Sequence, residues 1–343
     1  MTVISDEFFM MRAMELAQRG AGYVSPNPMV GCVITHENKI VGEGFHAVYG
    51  QAHAEVMAIR SVADSSILSE SVLYVSLEPC SHVGRTPPCA DLIVASKIKK
   101  VFVSILDRNP LVSGRGIQRL KNSGVEVEVG LCERQAVELN RRFFTAIDEK
   151  RPYVILKWAQ TADGFIAREN GESKWISNAH SRQLVHKWRG EEDAILVGTT
   201  TARVDNPALT VRNWNGKNPL RIVIDNDLKL SKDLKLFDGL SPTICYTLKD
   251  QNSKENLEYV KIAKEKFLKK ILNDLHQRKI QSVIIEGGAH TLHSFLKEGL
   301  WDEARIFHST QKFGIGIEAP RISGSPFSKE DVMDDRLEIY RAR

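Results

Sequence analysis

The chain has 343 residues, enough for two ordinary domains that each bury their own hydrophobic core. Its hydrophobic fraction of 42% and charged fraction of 26% are typical of a globular protein, and no segment approaches the roughly 20 apolar residues of a membrane span. The net charge of +4 suits phosphorylated small molecules better than a nucleic acid. We therefore expect an enzyme-sized globular protein that binds neither nucleic acid nor membrane.

The N-terminus and the cysteines both indicate a reducing cytoplasm. Residues 1–12 include Asp6 and Glu7 and lack a basic stretch followed by an apolar core, so we expect no secretory signal. The chain has five cysteines, and an odd number argues against a disulfide scaffold. We predict a cytoplasmic protein that forms a homo-oligomer.

The first half alternates between predicted helices and strands. Ser5 can cap a helix that runs to Arg19, where Gly20 would end it. Predicted strands cover residues 29–35, 40–45, 72–77, 100–105 and 125–129, and the first two form a hairpin. Further helices are predicted at residues 54–62, 116–121 and 133–149, with one that opens near Cys89. This alternation predicts a three-layer α/β/α sandwich with a mixed central sheet.

The second half follows a boundary that we place at Lys150-Arg151-Pro152. Strands are predicted at residues 153–158, 194–197, 220–224 and 282–285, and helices at residues 177–189 and 291–296. A basic segment, residues 264–279, is predicted to form an amphipathic surface helix. No early strand of this half precedes a G-x-G-x-x-G motif, which argues against a Rossmann domain. We therefore predict a second α/β domain of another kind.

His53, Glu55, Cys80 and Cys89 are the set of groups that a zinc-dependent hydrolytic deaminase needs. One imidazole and two thiolates leave a fourth tetrahedral position on Zn²⁺ open for water. Glu55 would shuttle protons between that water and the departing amine. Since residues two apart lie about 200° from each other in a helix, His53 and Glu55 can converge only over a helix N-terminus. A structural zinc is the alternative, and it would need His82 as a fourth ligand.

Two segments near these residues offer groups for substrate binding. Eight residues separate the cysteines, where the commonest deaminase pattern has two, and this loop carries His82 and Arg85. Asn27 lies between two prolines, and an amide fixed in this way can read a pyrimidine edge with both a donor and an acceptor. The same position is also compatible with a simple turn.

The second domain is less explicit about its chemistry. Residues 286–288, Glu-Gly-Gly, lie between a predicted strand and a predicted helix, where glycines let backbone N–H groups approach a phosphate. A glycine pair is also common in ordinary turns. Residues 205–212 form a polar loop that ends in Arg212, whereas Arg189 closes a helix, where a cation is expected on capping grounds alone. These residues do not identify a reaction by themselves.

Residues 25–32, 53–55 and 79–89 closely resemble the deaminase domain of bacterial bifunctional riboflavin-biosynthesis deaminase/reductases. In the second half, residues 156–157, 163–164, 171–176, 205–212 and 286–288 resemble the reductase domain of the same proteins. The resemblance implies a cytidine-deaminase-like domain at residues 1–149 and a dihydrofolate-reductase-like domain at residues 150–343. It further implies zinc-dependent deamination of 2,5-diamino-6-ribosylamino-4(3H)-pyrimidinone 5′-phosphate, then NADPH-dependent reduction of the ribosyl chain to ribityl.

The resemblance also implies the ligand-binding residues of both domains. The deaminase substrate would contact Asn27, His46, His82 and Arg85, with Arg85 facing the phosphate. The reductase substrate would contact Ser173, Arg189, Leu209, Arg212 and Glu286, and we hypothesise that Arg189 and Arg212 hold its phosphate. The dinucleotide would contact Ala159, Trp175, Thr201, Asp205, Asn226 and Gly288. For Trp175, packing in the core is an open alternative.

Two other functions stay open on the sequence alone. One is a zinc deaminase of another nucleobase or nucleotide, including a transfer RNA editing enzyme, with an unrelated C-terminal domain. The near-neutral first 150 residues and the long cysteine spacing count against a polynucleotide substrate. The other is a zinc-stabilised binding protein without catalysis, in which Glu55 would have no purpose.

Overall fold

The computed structural model describes residues 4–81, 87–110 and 112–342. The chain divides into two compact units, Met1–Glu149 and Lys150–Arg343. Each unit has its own clusters of buried apolar side chains. Within the described ranges, no helix combines the length and the apolar character that a membrane crossing requires.

The first unit is a five-stranded sheet with helices on both faces. Its helices are α1 (Asp6–Gln18), α2 (Ala54–Ser61), α3 (Cys89–Ala95), α4 (Arg115–Asn122), α5 (Glu133–Leu139) and α6 (Arg141–Asp148). Its strands are β1 (Gly31–His36), β2 (Lys39–Phe45), β3 (Val72–Val75), β4 (Lys100–Val103) and β5 (Glu126–Val129). They lie in the order β2-β1-β3-β4-β5, and β1 is antiparallel to both neighbours while β3, β4 and β5 are parallel. The predicted three-layer α/β/α domain with a mixed sheet is confirmed.

Each face of this sheet has its own apolar core. On one face, Ile93 of α3 and Leu120 of α4 belong to a cluster with Ile34 of β1. On the other face, Phe9 of α1 lies 5.3 Å from Tyr74 of β3 between ring centroids. The alternation of inward-facing residues along each strand therefore buries both faces, and the ends of the strands carry the functional groups.

The helix predicted over residues 133–149 is wrong in one respect, because it is interrupted at Asn140. Asn140 is only 2% exposed and separates α5 from α6. Its Oδ1 accepts a hydrogen bond from the N–H of Met29 at 2.8 Å, and its Nδ2 donates to the carbonyl oxygen of Met29 at 2.9 Å. Asparagine is a weak helix former because its amide competes for backbone groups, and here it binds the backbone of a distant segment.

The second unit is built on a nine-stranded sheet. Its strands are β6 (Tyr153–Gln160), β8 (Ala194–Gly198), β9 (Leu220–Ile224), β10 (Thr243–Thr247), β11 (Leu257–Lys261), β12 (Ser282–Ile285), β13 (Glu303–His308), β15 (Ser328–Val332) and β16 (Asp335–Arg341), and β7 (Phe165–Ala167) pairs separately with β14 (Ile317–Glu318). Its helices are α7 (Ala179–Glu191), α8 (Thr199–Asp205), α9 (Phe267–Gln277) and α10 (Ala289–Lys297). The order is β11-β10-β9-β8-β12-β6-β13-β16-β15, parallel from β11 to β13 and antiparallel beyond.

The parallel order brings the carboxyl ends of several strands to one edge of this sheet. Ala159 lies at the end of β6, Thr199 follows β8, Asn226 follows β9, and residues 286–288 follow β12. In open α/β sheets, ligands bind in the crevice outside these carboxyl ends. The topology therefore predicts a binding site formed by segments that lie far apart in the sequence.

Candidate active sites

His53, Cys80 and Cys89 converge in the first unit. His53 is the N-cap residue of α2, and Cys89 is the first residue of α3. Nδ1 of His53 lies 3.6 Å from Sγ of Cys80 and 3.3 Å from Sγ of Cys89, and the three potential ligand atoms all lie within 4.8 Å of one another. One nitrogen with two sulfurs is a donor set that favours Zn²⁺ over hard-oxygen cations. These three residues therefore fit a zinc ion.

The electrostatics of the site favour the thiolate form of Cys80. The N–H of Cys89 donates to Sγ of Cys80 at 3.3 Å. Hydrogen bonding from Cys89, assisted by His53, lowers the pKa of Cys80 against the effect of burial, whereas the hydrogen bond to Cys80 and burial raise the pKa of Cys89. Since the thiolate is the form that binds metals, Cys80 is prepared to act as a ligand at neutral pH.

Glu55 lies beside this cluster in the first turn of α2. It is 3% exposed, and burial raises the pKa of Glu55 to about 7, with a further contribution from the charge of Cys80. A carboxyl group that titrates near neutrality can accept and release a proton within one catalytic cycle. His53 has an extended backbone, with φ −75° and ψ 165°, which places both side chains over the helix N-terminus as the sequence predicts.

Asn27 and His46 lie in the same region of the first unit. Nδ2 of Asn27 lies 3.1 Å from Nε2 of His46, and Nδ1 of His46 lies 3.1 Å from the carbonyl oxygen of Ala52. Burial lowers the pKa of His46. A neutral imidazole that donates to Ala52 through Nδ1 accepts from Asn27 through Nε2, so this contact fixes the orientation of the amide. The ring of His46 lies 5.5 Å from that of His53.

His82 and Arg85, which the sequence also places near the deaminase substrate, lie outside the described residues. Their roles therefore stay predictions.

A residue that the sequence analysis did not single out, Glu78, supports the described part of this region. It is buried and accepts hydrogen bonds from the N–H groups of Gly114 and Gly116, each at 2.9 Å. An acidic residue at the end of an apolar strand, directly before Pro79-Cys80, was the signal in the sequence.

A cavity of about 1270 Å³ lies along the carboxyl edge of the parallel sheet in the second unit. The structure brings every residue that the resemblance implied for the reductase to the wall of this cavity. They are Ala159, Ser173, Trp175, Arg189, Thr201, Asp205, Leu209, Arg212, Asn226, Glu286 and Gly288. The cavity is large enough for a dinucleotide and a second small molecule.

Three glycines line one part of this wall, at positions where a side chain would not fit. Gly287 and Gly288 have φ values of 154° and 54°, and a Cβ atom on them would lie 3.0 Å and 3.2 Å from Oγ1 of Thr201. Gly198 is tighter still, because its Cβ would lie 2.4 Å from Oγ1 of Thr291. Side chains are therefore excluded at these turns. A glycine-lined turn at the start of a helix is the kind of backbone that binds the pyrophosphate of a dinucleotide such as NADPH.

Arg189 and Glu286 form a buried ion pair in the wall of the cavity. Nε and Nη2 of Arg189 donate to the two carboxylate oxygens at 2.9 Å and 2.8 Å, and the side chains are 11% and 9% exposed. Burial by itself would raise the pKa of Glu286, but the charges of Arg189 and Lys157 outweigh it and lower the pKa to about 2. Because these donors already serve Glu286, Arg189 fits the hypothesis of a phosphate ligand less well than Arg212 does.

Lys157 and His186 also line the cavity, although the sequence analysis did not identify them as site residues. Burial lowers the pKa of Lys157, opposed by the charge of Glu286. Nδ1 of His186 accepts a hydrogen bond from the N–H of Arg212 at 3.2 Å. The signals for Lys157 were a lysine within the otherwise apolar strand 153–158 and its place in the matched segment 156–157. A histidine one turn before Arg189 was the only signal for His186.

The remaining part of the wall contains Ser173, Asp205 and Trp175. Oγ of Ser173 donates to Oδ2 of Asp205 at 3.1 Å, and burial raises the pKa of Asp205 against that hydrogen bond. Trp175 is 63% exposed, and the guanidinium of Arg182 lies 4.5 Å from its ring centroid. The alternative of core packing for Trp175 is therefore wrong, since the indole faces the open side of the cavity.

Comparison with known proteins covers both units. Residues 3–105 match the family described as the cytidine and deoxycytidylate deaminase zinc-binding region, and residues 152–337 match the RibD C-terminal domain. The riboflavin biosynthesis protein RibD of Aquifex aeolicus is 45% identical over 318 residues, which cover 91% of this chain and 89% of that protein.

Two solved structures extend this similarity to three dimensions. A Thermotoga maritima diaminohydroxyphosphoribosylaminopyrimidine deaminase/5-amino-6-(5-phosphoribosylamino)uracil reductase superposes with a TM-score of 0.91 at 38% identity, over 98% of both chains. One form of Acinetobacter baumannii RibD superposes with a TM-score of 0.89 at 35% identity, over 98% of this chain and 99% of that one.

Proposed function

The chain belongs to the RibD family of bifunctional riboflavin biosynthesis enzymes, and on that premise we propose which of its residues carry each reaction. It is a zinc-dependent deaminase and an NADPH-dependent reductase that acts on small molecules. We assign deamination to residues 1–149 and reduction to residues 150–343. The match to the RibD C-terminal domain disfavours a deaminase of another base with an unrelated appendage.

The deaminase substrate is proposed to be 2,5-diamino-6-ribosylamino-4(3H)-pyrimidinone 5′-phosphate, in line with the name of the Thermotoga maritima relative. His53, Cys80 and Cys89 would hold Zn²⁺, which when bound supplies the Lewis acidity that makes water a nucleophile at neutral pH. The convergence of these three donors on a buried carboxylate, Glu55, carries the assignment. Glu55 accepts a proton from the attacking water and delivers a proton to the leaving amino nitrogen.

Substrate recognition in the deaminase is assigned to the groups around this centre. Asn27, oriented by His46, hydrogen-bonds the edge of the pyrimidine. His82 and Arg85 are proposed to complete the substrate site, with the positive charge of Arg85 serving the phosphate. The charge of the substrate is thereby matched within a unit whose overall charge is close to neutral.

The reductase is proposed to act on the deaminated product and to convert its ribosyl chain into a ribityl chain. NADPH, when bound, supplies the hydride. The dinucleotide would lie against Ala159, Trp175, Thr201, Asp205, Asn226 and Gly288. The substrate would lie against Ser173, Leu209, Arg212 and the Arg189–Glu286 pair, with Arg212 on its phosphate.

The Glu55→Gln variant tests the assignment of deamination to the first unit and reduction to the second. Given the diaminopyrimidine phosphate and NADPH, the variant should consume no NADPH, because deamination must come first. Given the deaminated intermediate, it should consume NADPH at the wild-type rate. Glu70→Gln, a substitution at an exposed position of the same unit, is the matched control. Failure of a folded, zinc-loaded Glu55→Gln enzyme to reduce the intermediate would contradict the assignment of the second unit.

We also propose a cytoplasmic homo-oligomer that binds no nucleic acid and no membrane. All five cysteines are free, as a reducing compartment would keep them. Phe327 and Met333 flank the edge strand β15 and are 58% and 71% exposed, and the unpaired edge of such a strand can pair with a second copy. Native mass spectrometry would test the oligomer, and a monomer at micromolar concentration would contradict it.

A further inference from the structure

The loop that carries Arg212 is held by two side chains of α7. His186 and Arg189 lie three positions apart on this helix, and therefore on the same face. Nη1 of Arg189 donates to the carbonyl oxygen of Thr210 at 3.3 Å, and Nδ1 of His186 accepts the N–H of Arg212 at 3.2 Å. The two side chains of the helix thus bind a carbonyl oxygen of the loop backbone before residue 211 and an N–H after it.

The residue between these two contacts is fixed as well. The N–H of Val211 donates to Oδ1 of Asn218 at 2.8 Å. Three consecutive residues of the loop backbone are consequently bound by side chains, while the side chain of Arg212 itself is exposed and lines the cavity. A long flexible cation on a fixed backbone loses less conformational freedom when it binds a ligand.

We propose that His186 is a positioning residue for the phosphate of the reductase substrate, because it fixes the backbone of Arg212 and so directs the guanidinium into the cavity. The inference deepens the proposed function, since it rests on Arg212 as the phosphate ligand. His186 acts through Arg212 and makes no contact with the reacting atoms.

The surroundings of His186 favour the neutral ring, which can accept a hydrogen bond at Nδ1. Nδ1 accepts a hydrogen bond only from an unprotonated ring, and a buried N–H without an acceptor is costly. His186 is 5% exposed and faces two cations, Arg189 and Arg212, and one anion, Glu286, which Arg189 already neutralises. Burial and the two cations lower the pKa of His186 to about 4, against the charge of Glu286 and a hydrogen bond with the backbone of Thr210, so the ring is neutral under ordinary conditions.

Two substitutions separate positioning from substrate contact. His186→Phe keeps a ring of similar size and removes the acceptor, whereas Oδ1 of the asparagine in His186→Asn can take the place of Nδ1. We expect His186→Phe to weaken binding of the phosphorylated intermediate about tenfold, as loss of one buried hydrogen-bond partner does. The affinity for the 5′-dephosphorylated analogue and for NADPH should not change. His186→Asn should behave as wild type.

The measurements are the Kd of each ligand by calorimetry, together with KM and kcat of the reductase. His180→Phe, on the exposed face of α7, is the matched control. If His186→Phe does not fold, His186→Gln serves in its place, because its side-chain oxygen lies too far along to meet the N–H of Arg212. It should show the same loss restricted to the phosphorylated ligand.

Arg212→Ala separates this inference from the function on which it rests. If Arg212→Ala weakens binding of the phosphorylated intermediate and of its dephosphorylated analogue equally, Arg212 does not bind the phosphate. The proposed function is then wrong at that residue. If Arg212→Ala is selective for the phosphorylated ligand but His186→Phe is not, only the positioning role is overturned. If His186→Asn is as impaired as His186→Phe toward both ligands, His186 contacts the substrate directly and the positioning role is again overturned. We expect the double variant His186→Phe, Arg212→Ala to bind the phosphorylated ligand no more weakly than Arg212→Ala does.

Discussion

Replacing Glu286 with glutamine should destabilise the second unit by about 3 kcal/mol. Glu286 faces two buried cations, Arg189 and Lys157. Its pKa falls from the ordinary 4.5 to about 2, and each tenfold change in proton affinity corresponds to about 1.4 kcal/mol, which gives about 3 kcal/mol. Loss of one partner of a buried ion pair typically costs about 3–5 kcal/mol, in agreement with this value.

The pH dependence of this stabilisation has a definite sign. The folded-state pKa of Glu286 is depressed, so the contribution is fully present above the ordinary value of 4.5 and is lost as the pH falls through about 2. The difference in unfolding free energy between wild type and Glu286→Gln should therefore be constant from pH 7 to pH 5. It should begin to shrink below pH 4.5.

Tryptophan fluorescence during urea unfolding measures this difference in the second unit alone. All five tryptophans lie in that unit, at positions 158, 175, 188, 214 and 301. Glu255→Gln removes an exposed charge from the same unit and serves as the control. An exposed ion pair contributes at most about 1 kcal/mol. If Glu286→Gln lowers the free energy of unfolding by less than this at pH 7, the reasoning is refuted. The double variant Arg189→Met, Glu286→Leu should recover only part of the loss, because it removes the unpaired guanidinium but leaves the buried Lys157 without its anion.

Three further predictions concern the proposed deaminase and reductase residues. Purified protein should contain about one zinc per chain by elemental analysis, and a metal content unchanged in the Cys80→Ala, Cys89→Ala protein would refute these ligands. Glu55→Gln should keep the zinc and lose about 10²–10⁴-fold in deamination rate, since an amide cannot accept the proton of the attacking water; a near-normal rate would remove Glu55 from the mechanism. Gly288→Val should raise the Kd for NADPH, measured by fluorescence, because a branched side chain would meet Thr201 at a φ of 54°; unchanged affinity would place the dinucleotide elsewhere.

The sequence predicts the first unit well because its signals are local. Strands such as β1 and β2 and helices such as α2 have clear periodicity, and their bounds differ from the prediction by one or two residues. The deaminase centre is also readable, since few other functions need a histidine, a nearby glutamate and two cysteines in this order. Asn140 was missed because its partner, Met29, lies 111 positions away, and nothing local marks a helix break there.

The reductase site depends on the order of the strands, which the sequence does not reveal. Glu286 meets Arg189 and Lys157 because β12 lies between β6 and β8 in the sheet, although β12 is the seventh strand of this unit along the chain. The residues of this site were predicted only by resemblance to a family, residue by residue. His186 has no motif around it, and Lys157 lies in a matched segment, residues 156–157, to which no role was assigned, so neither was identified as a site residue.

The contact between Asn140 and Met29 sets a lower limit on the size of a working deaminase fragment. The signature that identifies the deaminase ends at residue 105, and a fragment cut there would retain all three proposed zinc ligands and Glu55. It would lack the amide that holds both backbone groups of Met29, two residues beyond Asn27. The boundary of a recognisable signature therefore understates the length of chain that substrate recognition requires, and shortened versions of this domain should extend past Asn140 into α6.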